Sequence, residues 1–178
     1  MHNIMLDLET MGTGPNAAIC AIGAVAFDVE QRELGATFCM QLDLTDSVRC
    51  GGVIDPETVL WWLQQSDEAR QKISADGYPV ATAVLEFTDF IRSLGGEDKV
   101  KIWGNGSDFD NVILSSMFRR QGLQAPWKFW NNRCYRTVKN LHPQVAMVFE
   151  GVRHDALSDA INQAEHLIAM LNPLEGAA

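Results

Sequence analysis

Basic charge is what this sequence has least of. Its 14 lysines and arginines stand against 23 aspartates and glutamates, a formal net charge of −9. That balance excludes a protein that grips long duplex DNA through a broad basic face. It does not exclude one that meets phosphates through bound divalent cations, which reverse the sign of the local field. Cysteine is sparse too: Cys20, Cys39, Cys50 and Cys134 form no C-x-x-C pair. Neither a zinc site nor a disulfide scaffold is expected, and the thiols read as reduced residues of a cytoplasmic protein. The longest nearly unbroken apolar stretch, AAICAIGAVAF, is too short to span a bilayer, so no membrane partner is expected. Met1 to Met5 offers neither a basic n-region nor an apolar h-region, which argues against a secretory signal. Repeats, low-complexity tracts and long linkers are missing as well. One domain over residues 1–178 is the economical reading, with the last few residues a frayed tail.

What is present suits a packed core: 47% of residues are hydrophobic and 21% charged. Asn3–Leu8 reads as a first strand. Ile19–Asp28 and Glu33–Leu42 read as two more, joined by the polar turn VEQR. In DPETVLWWLQQS, Asp55 is a candidate N-cap with Pro56 at the first helical position. The stretch PVATAVLEFTDFIRSLGG carries Val80, Val84, Phe87, Ile91 and Leu94 at helical spacing, and Gly95-Gly96 stops it. KVKIWGNG reads as a short strand entering a glycine turn, followed by a helix from about Asp108 to Gly122. DALSDAINQAEHLIAML is the last helix. The order predicts an α/β fold with a mixed central sheet, whose first strands form an antiparallel meander flanked by helices.

Acidic residues recur where this fold class places its sites. Side chains alternate along a strand, so Met5, Asp7 and Glu9 share one face of the first strand and Ile4, Leu6 and Leu8 the other. Two neighbouring carboxylates need a cation or a shared proton, and a hard divalent ion such as Mg²⁺ or Mn²⁺ meets that need. The alternative is a strand that simply ends at the surface. In IWGNGSDFDNVIL, Asp108 and Asp110 open a helix, where acids commonly serve as caps. Asp108 fits that role well. Asp110 borders the packed face and fits it less well. In GVRHDALSDAINQA, Asp155 reads equally as an N-cap, Asp159 as a solvated residue and His154 as an ordinary loop histidine.

Taken together, Asp7-x-Glu9, Phe109-Asp110-x-x-x-Leu114 and His154-x-Ala156-Leu157-x-Asp159 occur in a telling order. The set resembles the three motifs of the DEDDh, or DnaQ-like, 3′→5′ exonucleases. TVLWWLQQSDEAR, WGNGSDFDNVIL and NRCYRTVKNL look most like its compact phage, prophage and bacterial group, which includes phage exodeoxyribonuclease A-like and mycobacterial exoribonuclease-like proteins. The resemblance implies a ribonuclease H-like fold and hydrolysis of nucleic acid from its 3′ end with two divalent cations, Mg²⁺ or Mn²⁺. It implies Asp7, Glu9, Asp110 and Asp159 as metal ligands and His154 as general base. The second motif departs slightly from the commonest spelling: Asn105 precedes Asp110 by five residues, one more than in many relatives, and Asp108 competes with Asp110.

Thr10, Met11 and Gly12 are expected against the terminal nucleotide. Trp62 and Asn105 join them as candidate substrate contacts, although one of the adjacent Trp61 and Trp62 is expected in the core. The expected partners are single-stranded DNA or RNA 3′ ends, with the phage-like features tilting toward DNA. Dimerising relatives make a homodimer an expectation, with the tryptophan helix as its surface. A module that only binds or dimerises would lack one of the five motif residues, and all five are filled. A phosphoesterase for small nucleotides would keep the acids and need no strand-binding surface.

Overall fold

The computed structural model describes residues 1–106 and 108–172; the expected frayed tail falls within residues 173–178, outside that range. The chain folds around a five-stranded sheet in the order β3-β2-β1-β4-β5. β1 (Asn3–Thr10), β2 (Ile19–Asp28) and β3 (Glu33–Gln41) form the antiparallel meander. The β2–β3 turn is tied by Asp28, whose Oδ1 accepts from the Glu30 and Gln31 amides. β4 (Lys101–Gly104) pairs parallel with β1, and β5 (Asn132–Cys134) parallel with β4. The sheet is therefore mixed, as expected. β5 itself carries no apolar alternation: its three half-buried residues, Asn-Arg-Cys, join the sheet by pairing with β4.

The period-two reading of β1 holds on both faces. Ile4, Leu6 and Leu8 enter one core with α4 (Val80–Ser93) and α5 (Asp110–Arg120), where Val84, Phe87, Ile91, Ile113 and Leu114 are also buried. Met5 enters a second core on the opposite face. There it meets Val25 and Phe27 of β2, Tyr135 of α6 (Tyr135–Leu141) and Ala160, Ala164 and Leu167 of α7 (Ala156–Leu171). Asp7 and Glu9 thus belong to the α7 side of the sheet.

The long helices stop and start close to where their sequences suggest. Gly95 and Gly96 close α4 with φ of 108° and 81°, and the Gly96 amide bonds Ile91 O at 3.1 Å. Asp55 caps α2 (Pro56–Trp62) by accepting from the Glu57 amide at 3.0 Å. α2 ends at Trp62, and Ser66 caps a separate helix, α3 (Asp67–Ile73). That helix, α1 (Leu44–Arg49) and α6 span six or seven residues each. Isolated helices of that length are unstable, so packing rather than propensity forms them. No helix among the described residues is long and apolar enough to cross a membrane.

One contact sets how closely α7 lies on the sheet. Gly23 stands opposite Asp7 in the β1–β2 register, and a Cβ there would fall 2.1 Å from the carbonyl carbon of Ala156. Only glycine lets the first turn of α7 pack on β2 at this point.

Candidate active site

β1 and α7 meet at one cleft of about 700 Å³, to which β1 brings Asp7 and Glu9 at its end and α7 brings Asp159 in its first turn. Asp110, at the first position of α5, is buried beside the end of β1 and is not itself among the lining residues. Asp7, Glu9 and Asp159 each place a carboxylate oxygen within 4.8 Å of the others. Asp110 is 2% exposed and joins the end of β1 to the turn after β4. Its Oδ1 accepts from the Leu8 amide at 3.2 Å and its Oδ2 from the Asn105 amide at 2.8 Å. Gly104 is required beside it, since a Cβ would lie 3.0 Å from that Oδ2 and 2.3 Å from Asn111 Oδ1. Asp108, the competing acid, is exposed.

The electrostatics match the crowding. Burial, followed by the charges of Asp110, Glu9 and Asp159, holds the Asp7 carboxyl well above the ordinary carboxylate range, against a hydrogen bond from Gln163. Burial and then Asp159, Asp155 and Asp110 push Glu9 up to about 8. Burial raises Asp110 to about 6 despite the amides it accepts from and the nearby Arg136. Asp159 is raised by burial as well, against the His154 amide and the charges of His154 and Arg153. Among the described residues, none of these four carboxylates is in an ion pair. Arg136 and His154 are the basic side chains lining the cleft. An all-oxygen donor set with more negative charge than its surroundings offset is what hard divalent cations such as Mg²⁺ and Mn²⁺ bind.

His154 stands at the cleft wall in a left-handed conformation, φ 62°. Its amide donates to Asp159 Oδ2 at 2.8 Å, and its ring meets Trp61 edge-on with centroids 4.9 Å apart. Asp155 caps α7 by accepting from the Ser158 amide and pairs with Lys72 at 2.6 Å.

The remaining candidates divide. Thr10, Gly12 and Asn105 line the cleft with Trp61 and Trp62. Thr10 Oγ1 bonds Gly12 O at 2.7 Å, so the turn after β1 is held internally. A Cβ at Gly12 would lie 3.1 Å from Val53 O, which makes this a close backbone approach. Met11 is not among the lining residues: its side chain packs with Ala18, Cys20, Trp62 and Ala69. Of the tryptophans, Trp62 is 4% exposed and Trp61 42%. Trp62 Nε1 donates to Thr10 O at 2.9 Å, bracing the turn from beneath.

Sequence reasoning missed Gln163, which is 4% exposed and donates from Nε2 to Asp7 Oδ1 at 2.7 Å. Its position one helical turn after Asp159 was the available signal. Gly23, on which α7 packs, was also missed, and it carries no local signal; Arg136 belongs to the run of basic residues between the second and third motifs, whose charge is the sequence's own signal for phosphate contact.

A mixed sheet with this meander, acids at the ends of β1, α5 and α7, and a histidine just before α7 defines a 3′–5′ exonuclease of the DEDDh type. The chain belongs to the 3′-5′ exoribonuclease Rv2179c-like domain family, whose model matches residues 2–171. It is 31% identical over 161 residues to the exodeoxyribonuclease of Enterobacteria phage T4, covering 77% of this chain and 70% of that one. Its fold is similar to the nuclease domain of 3′hExo, a DEDDh family member, bound to rAMP: TM-score 0.64, 15% identity, 95% of this chain and 90% of that chain. It is also similar to E. coli exonuclease I in complex with a dT13 oligonucleotide, with TM-score 0.60 and 18% identity. That match covers 95% of this chain and 40% of the larger exonuclease.

Proposed function

We propose that this exonuclease removes nucleotides from the 3′ ends of single-stranded DNA by divalent-metal-assisted hydrolysis, with His154 as general base. The observation that carries the reading is the convergence of Asp7, Glu9 and Asp159 with His154 in one cleft, with buried Asp110 held against the end of β1 and none of the four acids in an ion pair among the described residues. Asp7 lies within reach of the charges of Asp110, Glu9 and Asp159, and these four carboxylates would hold the cations. When bound, a pair of Mg²⁺ or Mn²⁺ ions supplies charge neutralisation at the phosphate and acidifies the attacking water.

The chain's own residues do the rest. His154, whose ring lines the cleft with the carboxylates, accepts the proton of that water. The backbone of Thr10–Gly12 approaches the terminal nucleotide closely, so Met11 contributes main chain while its side chain serves the core. Trp61 offers the exposed ring for stacking on a base, worth about 1–3 kcal/mol and indifferent to base identity. Trp62 supports it. Arg136, with Nε 3.3 Å from Asn105 Oδ1, is placed to meet a phosphate.

DNA is favoured because the phage relative is named for DNA over a long shared stretch; the family's own description names RNA, and that is the competing reading. A time course on matched 5′-labelled single-stranded DNA and RNA oligomers in Mn²⁺ separates them. Faster shortening of DNA supports the proposal, and faster shortening of RNA replaces it with an exoribonuclease.

A further inference from the structure

His154 is carried by residues 142–155, a segment without helix or strand between α6 and α7. Buried backbone in such a segment needs partners, and here α7 supplies them from one face. Asp159 Oδ2 accepts from the His154 amide at 2.8 Å. Asn162, 2% exposed, makes a reciprocal pair with Glu150: Oδ1 accepts from its amide at 2.7 Å and Nδ2 donates to its carbonyl at 2.8 Å. His166, 5% exposed, bonds Val145 O through Nε2 at 2.8 Å. A carbonyl only accepts, so Nε2 carries the proton. Nδ1 then accepts from the Tyr135 hydroxyl at 2.7 Å, which fixes the ring. Positions 159, 162 and 166 follow helical spacing, so a single ridge of α7 ties down Val145, Glu150 and His154 at intervals of four or five residues. Val145 and Met147 pack against the apolar side of the same helix. The ridge also explains how His154 keeps a left-handed φ, a conformation that a residue other than glycine holds only where its surroundings impose it.

We propose that Asn162 and His166 are positioning residues for His154: the ridge of α7 that begins with Asp159 also latches the loop that presents the base to the cleft. The inference rests on the reading of His154 as general base. A loop held at Val145 and Glu150 keeps the imidazole beside Trp61, facing the carboxylates. A loop freed at Glu150 leaves the acids in place and disperses the imidazole over many positions, so turnover falls while metal and strand binding persist.

The test combines Asn162→Ala, His154→Ala and the double variant, with turnover, KM, Mn²⁺ affinity by calorimetry and amide hydrogen exchange. Asn162→Ala is expected to lower kcat roughly 10- to 100-fold, with KM and Mn²⁺ affinity within about two-fold of the parent. Exchange across residues 145–154 should quicken at least about ten-fold while β1 stays protected. The double variant should be no slower than His154→Ala, because both substitutions remove the same base. An unchanged kcat in Asn162→Ala, multiplicative losses in the double variant, or unaltered exchange overturns the inference. An unchanged kcat in His154→Ala overturns the general-base reading instead, a separate outcome seen without reference to Asn162. Asn162→Leu, similar in size and a good helix former, carries the same expectations should the alanine variant fold poorly.

Discussion

Replacing Glu9 by glutamine should make the metal-free protein more stable at pH 8 while weakening its response to metal. Glu9 is 8% exposed, and its carboxyl is raised from its ordinary 4.5 to about 8 by burial and by Asp159, Asp155 and Asp110. The sign follows from linkage. Below pH 4.5 the group is neutral in both the folded and the unfolded chain and favours neither. As pH rises toward about 8, only the unfolded chain ionises, and the folded state loses up to about 1.4 kcal/mol per pH unit. Above that the penalty is constant. Across the window the loss is on the order of 3–5 kcal/mol, a large share of a typical 5–15 kcal/mol of total stability. For a chain of this size, it lowers the melting temperature by roughly 10 °C. Thermal melts in EDTA at pH 5, 6, 7 and 8 read this directly. The parent should melt progressively lower, Glu9→Gln should show a shallower slope and a higher melting temperature at pH 8, and Mn²⁺ should stabilise the parent more at pH 8 than at pH 5. A parent curve that is flat or rising in EDTA, or a variant less stable than the parent at pH 8, would refute the reasoning.

Other consequences are as specific. Gly23→Ala places a Cβ 2.1 Å from the Ala156 carbonyl carbon, so it should cost about 1–3 kcal/mol in a denaturant titration. It should also weaken Mn²⁺ affinity, because Asp159 rides on the displaced helix. Asp46 accepts from the buried Val80 amide at 2.8 Å; Asp46→Ala leaves that donor unpaired at the start of α4 and should cost about 1–3 kcal/mol with kcat unchanged. Trp61→Ala should raise KM for oligonucleotides by about 5- to 150-fold with kcat little altered, the worth of one stacked base. Trp62→Ala should instead unfold the protein earlier by about 3–5 kcal/mol, since its ring is buried beneath the Thr10 turn.

The sequence announced what depends on local pattern. Alternation placed Asp7 and Glu9 on one face of β1, and the packing of Ile4, Leu6 and Leu8 on the other side bears that out. Asp55-Pro56 and Gly95-Gly96 marked helix ends through their own backbone chemistry. The order of the acidic motifs led to the family. What stayed hidden depends on partners distant in sequence. β5 has no strand pattern and forms because Gly104 and its neighbours present an open edge. The short helices α1, α3 and α6 exist by packing. Gly23 looks like any small residue in an apolar strand until α7 is laid across it. Choosing between Trp61 and Trp62 needed the tertiary structure, because adjacent helical positions diverge and only one faced the turn after β1. Asn162 and His166 sit within an amphipathic helix whose apolar stripe draws the eye away from its polar ridge.

The central claim, removal of nucleotides from a 3′ end by the acidic cluster, is tested most directly by product order. A single-stranded DNA oligonucleotide with distinct labels at its two ends is followed in Mn²⁺ with the parent and the Asp7→Asn chains. The 3′ label should leave first as a mononucleotide, the 5′ label should descend in a ladder, and Asp7→Asn should release neither. Early release from the 5′ end, internal cuts from the first time point, or undiminished activity in Asp7→Asn would contradict it.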